Sequence, residues 1–313
     1  MGFPTFIADR PEMSLKGGGI GRQRARELPP SHVVLEDHQL PLTYLVESVL
    51  KSQMPNVVIG MSGANKTTWI LQLLESMHLQ QDFFGFKTGP MIKTHYIALD
   101  RPAIQLEHKL KMFDLPTDCF TYASLASQLR DINGLDMVLE RLIPPGTEHV
   151  VIDGIGLVVT KAISQRDVGI VMSDTLRWCE KNKGTATILH HTAKAKVGAG
   201  YASPRERALG SGAWLQMCGV GTLLEQCNPF DVTDPRRTVH IMDNDALGQT
   251  LALKVVDPGR LELDADVVNF TRQELSDLTG ATGSTLTRHI DEWIKCGLFI
   301  REKNGCFRGR LPA

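Results

Sequence analysis

A loop of small residues, Gly60-Met-Ser-Gly-Ala-Asn-Lys-Thr-Thr68, carries the residue types that bind phosphate groups. The phosphate-loop pattern G-x-x-x-x-G-K-[ST] places a lysine on the β- and γ-phosphates of a nucleotide and a hydroxyl on Mg²⁺. Gly60, Lys66 and Thr67 occupy their positions in this pattern, whereas Asn65 stands in place of the second glycine. The sequence therefore predicts a site for ATP and Mg²⁺, with Thr67 as a metal ligand.

The segments on either side of this loop support the same prediction. Val57–Ile59 is an apolar run typical of a short strand, and Thr68–His78 has the apolar spacing of a helix. A helix N-terminus directs backbone N–H groups and a positive dipole end at an anion. We expect the cofactor contacts to come from one contiguous set: Gly60, Ser62, Gly63, Ala64, Asn65, Lys66, Thr67 and Thr68.

Asn65 leaves open how well the loop binds phosphate and whether it is a phosphate loop at all. Asparagine tolerates unusual backbone angles better than most residues but less well than glycine, and its side chain could crowd the phosphates. An ordinary glycine-rich turn between a strand and a helix is the alternative interpretation of the whole loop.

Carboxylates at the ends of two other apolar runs could complete such a site. Asp153 ends His149-Val-Val-Ile-Asp153, where it could hold Mg²⁺, and Asp100 follows Thr94–Leu99, where it could orient an attacking water. The alternatives are a turn or helix-capping aspartate at 153 and a surface turn at 100. His190 and His191 follow the run Thr185–Leu189, and one of them is expected to contact the γ-phosphate while the other is structural.

Apolar runs alternate with helical patterns along most of the chain. Further runs at Val220–Leu224 and Thr238–Met242, with a long amphipathic helix at Val168–Lys181, predict an α/β fold with a mostly parallel sheet. We expect three regions, a poorly ordered tail over 1–30, an ATPase domain over 31–266 and a small domain over 267–313.

The last region has the outline of a winged helix-turn-helix. Thr271 and Glu274 form a capping-box pattern that opens a helix ending at Gly280, and Ser284–Cys296 is expected to be the recognition helix. Its predicted DNA-contacting side chains are Arg288 on that helix and, in the basic tail, Arg301, Lys303, Arg308 and Arg310. A winged helix that binds another protein, such as a replication partner, is the alternative.

Composition bounds the class of protein. The 313 residues have a net charge of −1, so any binding of nucleic acid requires local clusters of basic residues. The six cysteines show no C-x-x-C or zinc-ligand spacing, which favours reduced thiols. No signal peptide or membrane span is predicted, and we expect a cytoplasmic location without a membrane partner.

Residues 40–260 resemble the RepA-like hexameric helicases of plasmids and phages, within the RecA/DnaB ATPase superfamily. The resemblance depends on Gly60–Thr68, Asp100 and Asp153, and most specifically on His190-His191-Thr192 followed by Arg207-Ala-Leu-Gly-Ser-Gly-Ala213. It implies a RecA-like fold, ATP hydrolysis and a hexameric ring around single-stranded DNA.

The resemblance also assigns roles to individual residues. Asp100 matches the catalytic glutamate but is one methylene shorter, His190 or His191 matches the γ-phosphate sensor, and Arg207 could act as an arginine finger from a neighbouring subunit. The loop Ala193–Leu209 would face DNA through Lys194, Lys196 and Arg205. An ordinary solvated loop is the alternative. Where the family often has a basic pair, Met242-Asp-Asn-Asp245 is acidic.

Three functions follow as hypotheses. The first is an oligomeric DNA helicase or ATPase that acts in replication or processing of plasmid, phage or other mobile DNA. The second is a nucleotide-gated DNA-binding adaptor or regulator with weak or no hydrolysis, which the departures at Asn65, Asp100 and 243–245 favour. The third is a strand-exchange recombinase, which the terminal helices and the histidine pair disfavour.

Overall fold

A computed structural model of the protein describes residues 43–127, 134–157, 165–191, 213–227, 231, 233–243, 248–264, 268–295, 299–301 and 307–309. Within this part of the chain the strands are β1 (Tyr44–Val46), β2 (Leu50–Lys51), β3 (Pro55–Gly60), β4 (Thr94–Ala98), β5 (Phe120–Ser124), β6 (His149–Asp153), β7 (Thr185–His191), β8 (Val220–Gln226), β9 (Arg236–Asp243), β10 (Gln249–Val256), β11 (Arg260–Leu263), β12 (Val268–Phe270), β13 (Phe299–Arg301) and β14 (Phe307–Gly309). The helices are α1 (Lys66–Leu79), α2 (Ala103–Leu110), α3 (Leu135–Arg141), α4 (Gln165–Asn182), α5 (Ala213–Met217), α6 (Arg272–Thr279) and α7 (Gly283–Lys295).

One large sheet organises the described residues. Its strand order is β11-β10-β9-β8-β3-β7-β6-β4-β5, in which β5, β4, β6, β7, β3 and β8 run parallel. Strands β9, β10 and β11 extend it in antiparallel fashion beyond β8. The expected α/β class with a mostly parallel sheet is confirmed.

The central strands are buried along most of their length because both faces of the sheet are covered. In β3, Val57 and Ile59 belong to one buried cluster while Val58 belongs to the other. This alternation follows from the two-residue period of a strand. Helix α1 covers one face with Trp69, Ile70, Leu73, Leu74 and Met77, and α4 covers the opposite face with Val168, Val171, Met172 and Cys179.

The acidic stretch near the last strands has a structural role where it is described. Asp243 accepts a hydrogen bond from the Lys51 amine at 2.8 Å, and both side chains are 1% exposed. The Tyr44 hydroxyl also donates to Asp243. This buried ion pair attaches β2 to β9, so Asp243 is committed to the fold. Residues 244 and 245 lie outside the described residues.

The C-terminal residues form α6 and α7 with a small antiparallel sheet in the order β12-β14-β13. The predicted capping box is confirmed, because the Thr271 side chain accepts from the Glu274 N–H while Glu274 accepts from the Thr271 N–H. A separate buried cluster contains Leu275, Leu286, Ile290, Phe299 and Phe307. The winged-helix assignment and the three domain boundaries stay predictions.

In the part of the chain that the structure describes, no helix is both long enough and apolar enough to cross a bilayer.

Candidate active site

Four neighbouring parallel strands end at the same edge of the sheet, and the predicted site residues lie there. In the order β3-β7-β6-β4, the strand ends carry the phosphate loop, His191, Asp153 and Asp100 respectively. Ligands of open α/β sheets bind at the carboxyl ends of the strands, where loops and helix N-termini converge. The sheet order therefore brings together residues that lie up to 131 positions apart, from Gly60 to His191.

The backbone of the loop explains its sequence. A Cβ on Gly60 would lie 2.4 Å from the Leu224 carbonyl oxygen of β8, so only glycine fits beside that strand. Gly63 has φ 81°, and Asn65 has φ 68° and ψ 28°, in the left-handed region. Asparagine is among the few side-chain-bearing residues enriched in that region. Asn65 thus supplies the conformation expected of the second glycine.

The Lys66 side chain points back to the start of the phosphate loop. Its amine donates to the carbonyl oxygens of Gly60 (2.9 Å) and Met61 (3.0 Å), and the residue is only 6% exposed. Burial lowers the pKa of this amine to about 8, against the opposing effect of Asp153 and Asp100. A phosphate group that approached the loop would meet this partly desolvated cation.

Asp153 collects two hydroxyl donors on one oxygen. Thr67 Oγ1 donates to its Oδ2 at 2.8 Å, and the Tyr96 hydroxyl of β4 donates to the same oxygen at 2.5 Å. Asp153 is 3% exposed, and burial raises the pKa of its carboxyl, while the Tyr96 hydrogen bond lowers it. Neither hydroxyl donates to the other carboxylate oxygen, Oδ1, which suits a carboxylate that holds a cation.

His191 joins the lysine to the second carboxylate. Its Nδ1 lies 3.1 Å from the Lys66 amine, and its Nε2 lies 3.6 Å from Asp100 Oδ2. A lysine ammonium only donates, so Nδ1 accepts this hydrogen bond and Nε2 is the ring nitrogen that faces Asp100. This contact with His191 is the main reason that the pKa of Asp100 is lowered.

A glycine next to Asp153 allows Asp100 to reach this position. Gly154 has φ 87°, and a Cβ there would lie 2.8 Å from Asp100 Cγ. The residue after Asp153 is therefore required to be glycine by the packing of Asp100.

The two histidines have different surroundings, which separates the two roles left open by the sequence. His190 packs against Trp214, with ring centroids 4.9 Å apart, and burial lowers its pKa to about 4. Its buried Nδ1 is without a hydrogen-bond partner among the described residues. His191 instead contacts Lys66 and Asp100, so the geometry favours His191 as the γ-phosphate contact and His190 as the structural residue.

Oxygen ligands for Mg²⁺ are present in a suitable arrangement. The Thr67 hydroxyl and the Asp153 carboxylate are hard oxygen donors on adjacent elements. Within the described ranges, no group of three or more His, Cys, Asp and Glu side chains could hold a metal ion alone. The Thr67 and Asp153 oxygens fit a shared site in which Mg²⁺ would take its remaining ligands from nucleotide phosphate oxygens and water.

Other predicted nucleotide contacts differ in their surroundings. Ser62 is exposed at the loop tip and Ala64 is buried beneath it. The Thr68 hydroxyl lies 3.5 Å from the Gly259 carbonyl oxygen, so its side chain faces that turn. Any nucleotide contact of Thr68 would come from its backbone N–H.

Most predicted DNA contacts cannot be placed. Lys194, Lys196, Arg205 and Arg207 lie outside the described residues, as do Lys303 and Arg310. Arg301 and Arg308 lie on β13 and β14, and their side chains are outside the description. Arg288 is exposed on α7.

Three site residues were missed by the sequence analysis. Tyr96 holds Asp153, Arg101 Nη2 lies 3.5 Å from Thr67 Oγ1, and Arg237 Nε donates to Asn65 Oδ1 at 3.0 Å. Tyr96 lies inside an apolar strand and resembles a core residue. Arg101 directly follows Asp100, and its position beside the predicted site was the available signal.

A separate cleft of about 160 Å³ lies between α3, the Pro144-Pro145-Gly146 turn and α4. It is close to the starts of β6 and β7, at the amino ends of the strands and opposite the phosphate loop. None of the predicted site residues that the structure describes lines this cleft, so the candidate site is the one at the carboxyl edge.

No protein-family model matches the chain, and no curated protein matches it. Among solved structures, a KaiC-like protein from the hyperthermophilic archaeon Pyrococcus horikoshii OT3 is 14% identical, with a TM-score of 0.45, over 71% of this chain and 99% of its own. The RadB recombinase is 14% identical, with a TM-score of 0.43, over 68% of this chain and 91% of its own.

Proposed function

We propose that this protein is a Mg²⁺-dependent ATPase with a RecA-like core. The observation that supports this most strongly is the row of Lys66, His191, Asp153 and Asp100 along four adjacent strand ends. Lys66 contacts His191, His191 contacts Asp100, and Asp153 accepts from Thr67, so the cation, the oxygens proposed to bind the metal and the second carboxylate are aligned in advance. Such preorganisation is the main contribution that a protein makes to phosphoryl transfer.

Each residue has a distinct role in the proposed reaction. Lys66 would exchange its two carbonyl acceptors for β- and γ-phosphate oxygens, and Thr67 with Asp153 would hold Mg²⁺, which neutralises developing charge on the phosphates. Asp100 would orient the attacking water, and its lowered pKa keeps it ionised. His191 would lose its Lys66 contact when the lysine turns to the γ-phosphate, so that it reports the bound state to the residues that follow β7.

We further propose that the ATPase acts on DNA as a homo-oligomer, as a helicase or related motor in replication or processing of plasmid, phage or other mobile DNA. The basic residues of Ala193–Leu209 support single-stranded DNA at the ATPase core, with Arg207 acting on a neighbour's nucleotide in a hexameric ring. The C-terminal helices, with exposed Arg288, support a winged helix that binds DNA or a replication partner.

One observation favours a second function. Asp100 is held by His191 and has a lowered pKa, which makes it a weak general base. A nucleotide-gated DNA-binding adaptor that hydrolyses ATP slowly is therefore the alternative.

ATP hydrolysis by the full chain, with and without single-stranded DNA, separates these functions. We expect DNA to stimulate turnover, and Asp100→Asn to lower kcat by at least about tenfold with little change in ATP affinity. The matched control Asp114→Asn, an exposed aspartate away from the strand ends, should leave turnover unchanged. Tight ATP binding without DNA-stimulated turnover would support the adaptor and exclude the motor.

A further inference from the structure

Arg237 places a buried positive charge behind the phosphate loop. It lies on β9, the antiparallel neighbour of β8, and is 7% exposed. Its Nη1 donates to the carbonyl oxygens of Asp234 (2.7 Å) and Arg236 (2.8 Å). Its other two contacts reach the loop, from Nε to Asn65 Oδ1 at 3.0 Å and from Nη2 to the Gly63 carbonyl oxygen at 3.4 Å.

All four acceptors of this guanidinium are neutral. The nearby Asp234 carboxylate is engaged by Arg236, at 2.8 Å and 2.9 Å from that neighbour's guanidinium. Burial of an ion without a charged partner is costly, and such groups are usually paired or neutralised. The Asp234 carboxylate attracts Arg237 but makes its hydrogen bonds with Arg236, so among the described residues the charge of Arg237 is balanced only in part.

Asn65 is unusual in a complementary way. It precedes α1 at the N-cap position, where asparagine side chains commonly accept a backbone N–H of the first turn. Here it makes no such cap, and its Oδ1 accepts from Arg237 instead. The side chain that could have crowded the phosphates is held against β9, while its backbone keeps the left-handed conformation.

We propose that Arg237 is the positioning residue that allows Asn65 to replace the second glycine of the phosphate loop. By holding Asn65 Oδ1 and the Gly63 carbonyl, Arg237 fixes the loop in the conformation that presents its N–H groups to a nucleoside triphosphate. Its charge adds to that of Lys66 in attracting the polyphosphate. This inference rests on the proposed function, because it assigns a role at the same site.

A double-mutant cycle on the full chain tests the pair. Mg·ATP affinity would be measured by calorimetry for the original protein, Arg237→Lys, Asn65→Gly and the double variant. Loss of a hydrogen bond from a charged donor predicts that Arg237→Lys weakens ATP binding about tenfold when Asn65 is present. In the Asn65→Gly background no side chain needs holding, so the same change should cost less than about threefold.

A second variant keeps the test valid if Arg237→Lys folds poorly. Asn65→Ala leaves Arg237 intact but removes its acceptor and strains the left-handed backbone, so it should also weaken ATP binding about tenfold. Equal losses from Arg237→Lys in both backgrounds, or normal binding by Asn65→Ala, would overturn the pairing.

Amide hydrogen exchange without nucleotide separates this inference from the proposed function. Arg237→Lys should speed exchange of the 62–66 amides about tenfold with Asn65 present and not in the Asn65→Gly background. If that coupling is found while no variant binds ATP, the pair positions the loop and the proposed function is wrong. If ATP binds but the exchange rates do not depend on Asn65, the positioning role is wrong.

Discussion

At the scale of residues, the buried part of the site consists of a few polar atoms on Lys66, Tyr96 and Asp153, while His191 and Asp100 are partly exposed. Asp153 is the centre of this arrangement, since both Thr67 and Tyr96 donate to its Oδ2. Burial favours the protonated carboxyl and the Tyr96 hydrogen bond favours the carboxylate, so the tyrosine keeps available the charge that we propose binds Mg²⁺.

Replacement of Tyr96 by phenylalanine tests this role. Tyr96→Phe removes a hydrogen bond that lowers the Asp153 pKa, so we expect the acidic limb of the pH–rate profile to move to higher pH and the Mg²⁺ requirement to rise. Hydrolysis rates measured over pH and Mg²⁺ concentration would show both effects. Tyr122→Phe, on the edge strand β5, is the matched control. An unshifted profile in Tyr96→Phe would mean that the tyrosine only packs.

Sequence alone identified the residues of this site that occur in local patterns. Lys66, Thr67 and Asp153 follow from spacing next to apolar runs, and the structure brings them together. The choice between His190 and His191 required the register of β7, because successive strand residues point to opposite faces. Arg237 contacts a residue 172 positions away, and no local pattern records such a pairing.

At the scale of elements, the strands with long buried runs were predictable, as was the partly buried β9 from Thr238–Met242, whereas β5 and β10 were not. Runs such as Val57–Ile59 mark strands covered on both faces, and they are found in β3, β4, β6 and β7. Strand β5 lies at the sheet edge with Thr121 and Tyr122 exposed, and β10 is mostly half-buried. The apolar residues of β5 are separated by exposed ones, and the run Leu251–Leu253 of β10 is only partly buried, so the tertiary pairing defines these two strands.

The attachment of α1 to β11 also depends on a contact that the sequence does not show. The Gln72 amide donates to the Leu261 carbonyl oxygen at 2.9 Å and accepts from the Leu261 N–H at 2.7 Å. The Gln72 amide therefore makes with Leu261 the pair of backbone hydrogen bonds that a neighbouring strand would make. It thereby links the helix that follows the phosphate loop to the antiparallel part of the sheet.

Removal of this link should destabilise the fold. Gln72→Leu leaves two buried backbone groups without partners, and we expect the free energy of unfolding to fall by about 2–4 kcal/mol. Urea denaturation would measure this loss. The exposed Gln105 of α2 provides the control Gln105→Leu, which should change stability by less than about 0.5 kcal/mol. A loss below about 1 kcal/mol in Gln72→Leu would indicate that water replaces the amide.

At the scale of the whole molecule, the core contains histidines that must stay neutral. His149 is fully buried at the start of β6, where Nε2 lies 2.9 Å from Thr187 Oγ1. Burial lowers its pKa to about 3 from an ordinary value of 6.5. The unfolded chain therefore binds a proton at this residue between these two pH values, while the folded protein does not.

The sign of this difference predicts acid sensitivity. The contribution of His149 is fully present above pH 6.5, and stability falls as the pH drops below that value, by at most about 1.4 kcal/mol per pH unit for one histidine. His149→Gln should flatten the dependence of the unfolding free energy on pH between 6.5 and 5, and exposed His108→Gln should not. Urea denaturation over this range would check it. The same slope in His149→Gln and the original protein would contradict the assignment.

The central claim is that the loop from Gly60 to Thr68 binds a nucleoside triphosphate through Lys66. The most direct test is calorimetric titration of the full chain with Mg·ATP, alongside Lys66→Ala and the exposed control Lys87→Ala. The account predicts saturable one-site binding that Lys66→Ala weakens by at least about a hundredfold and Lys87→Ala leaves unchanged. Absence of ATP binding by the original protein, or equal binding by Lys66→Ala, would contradict it.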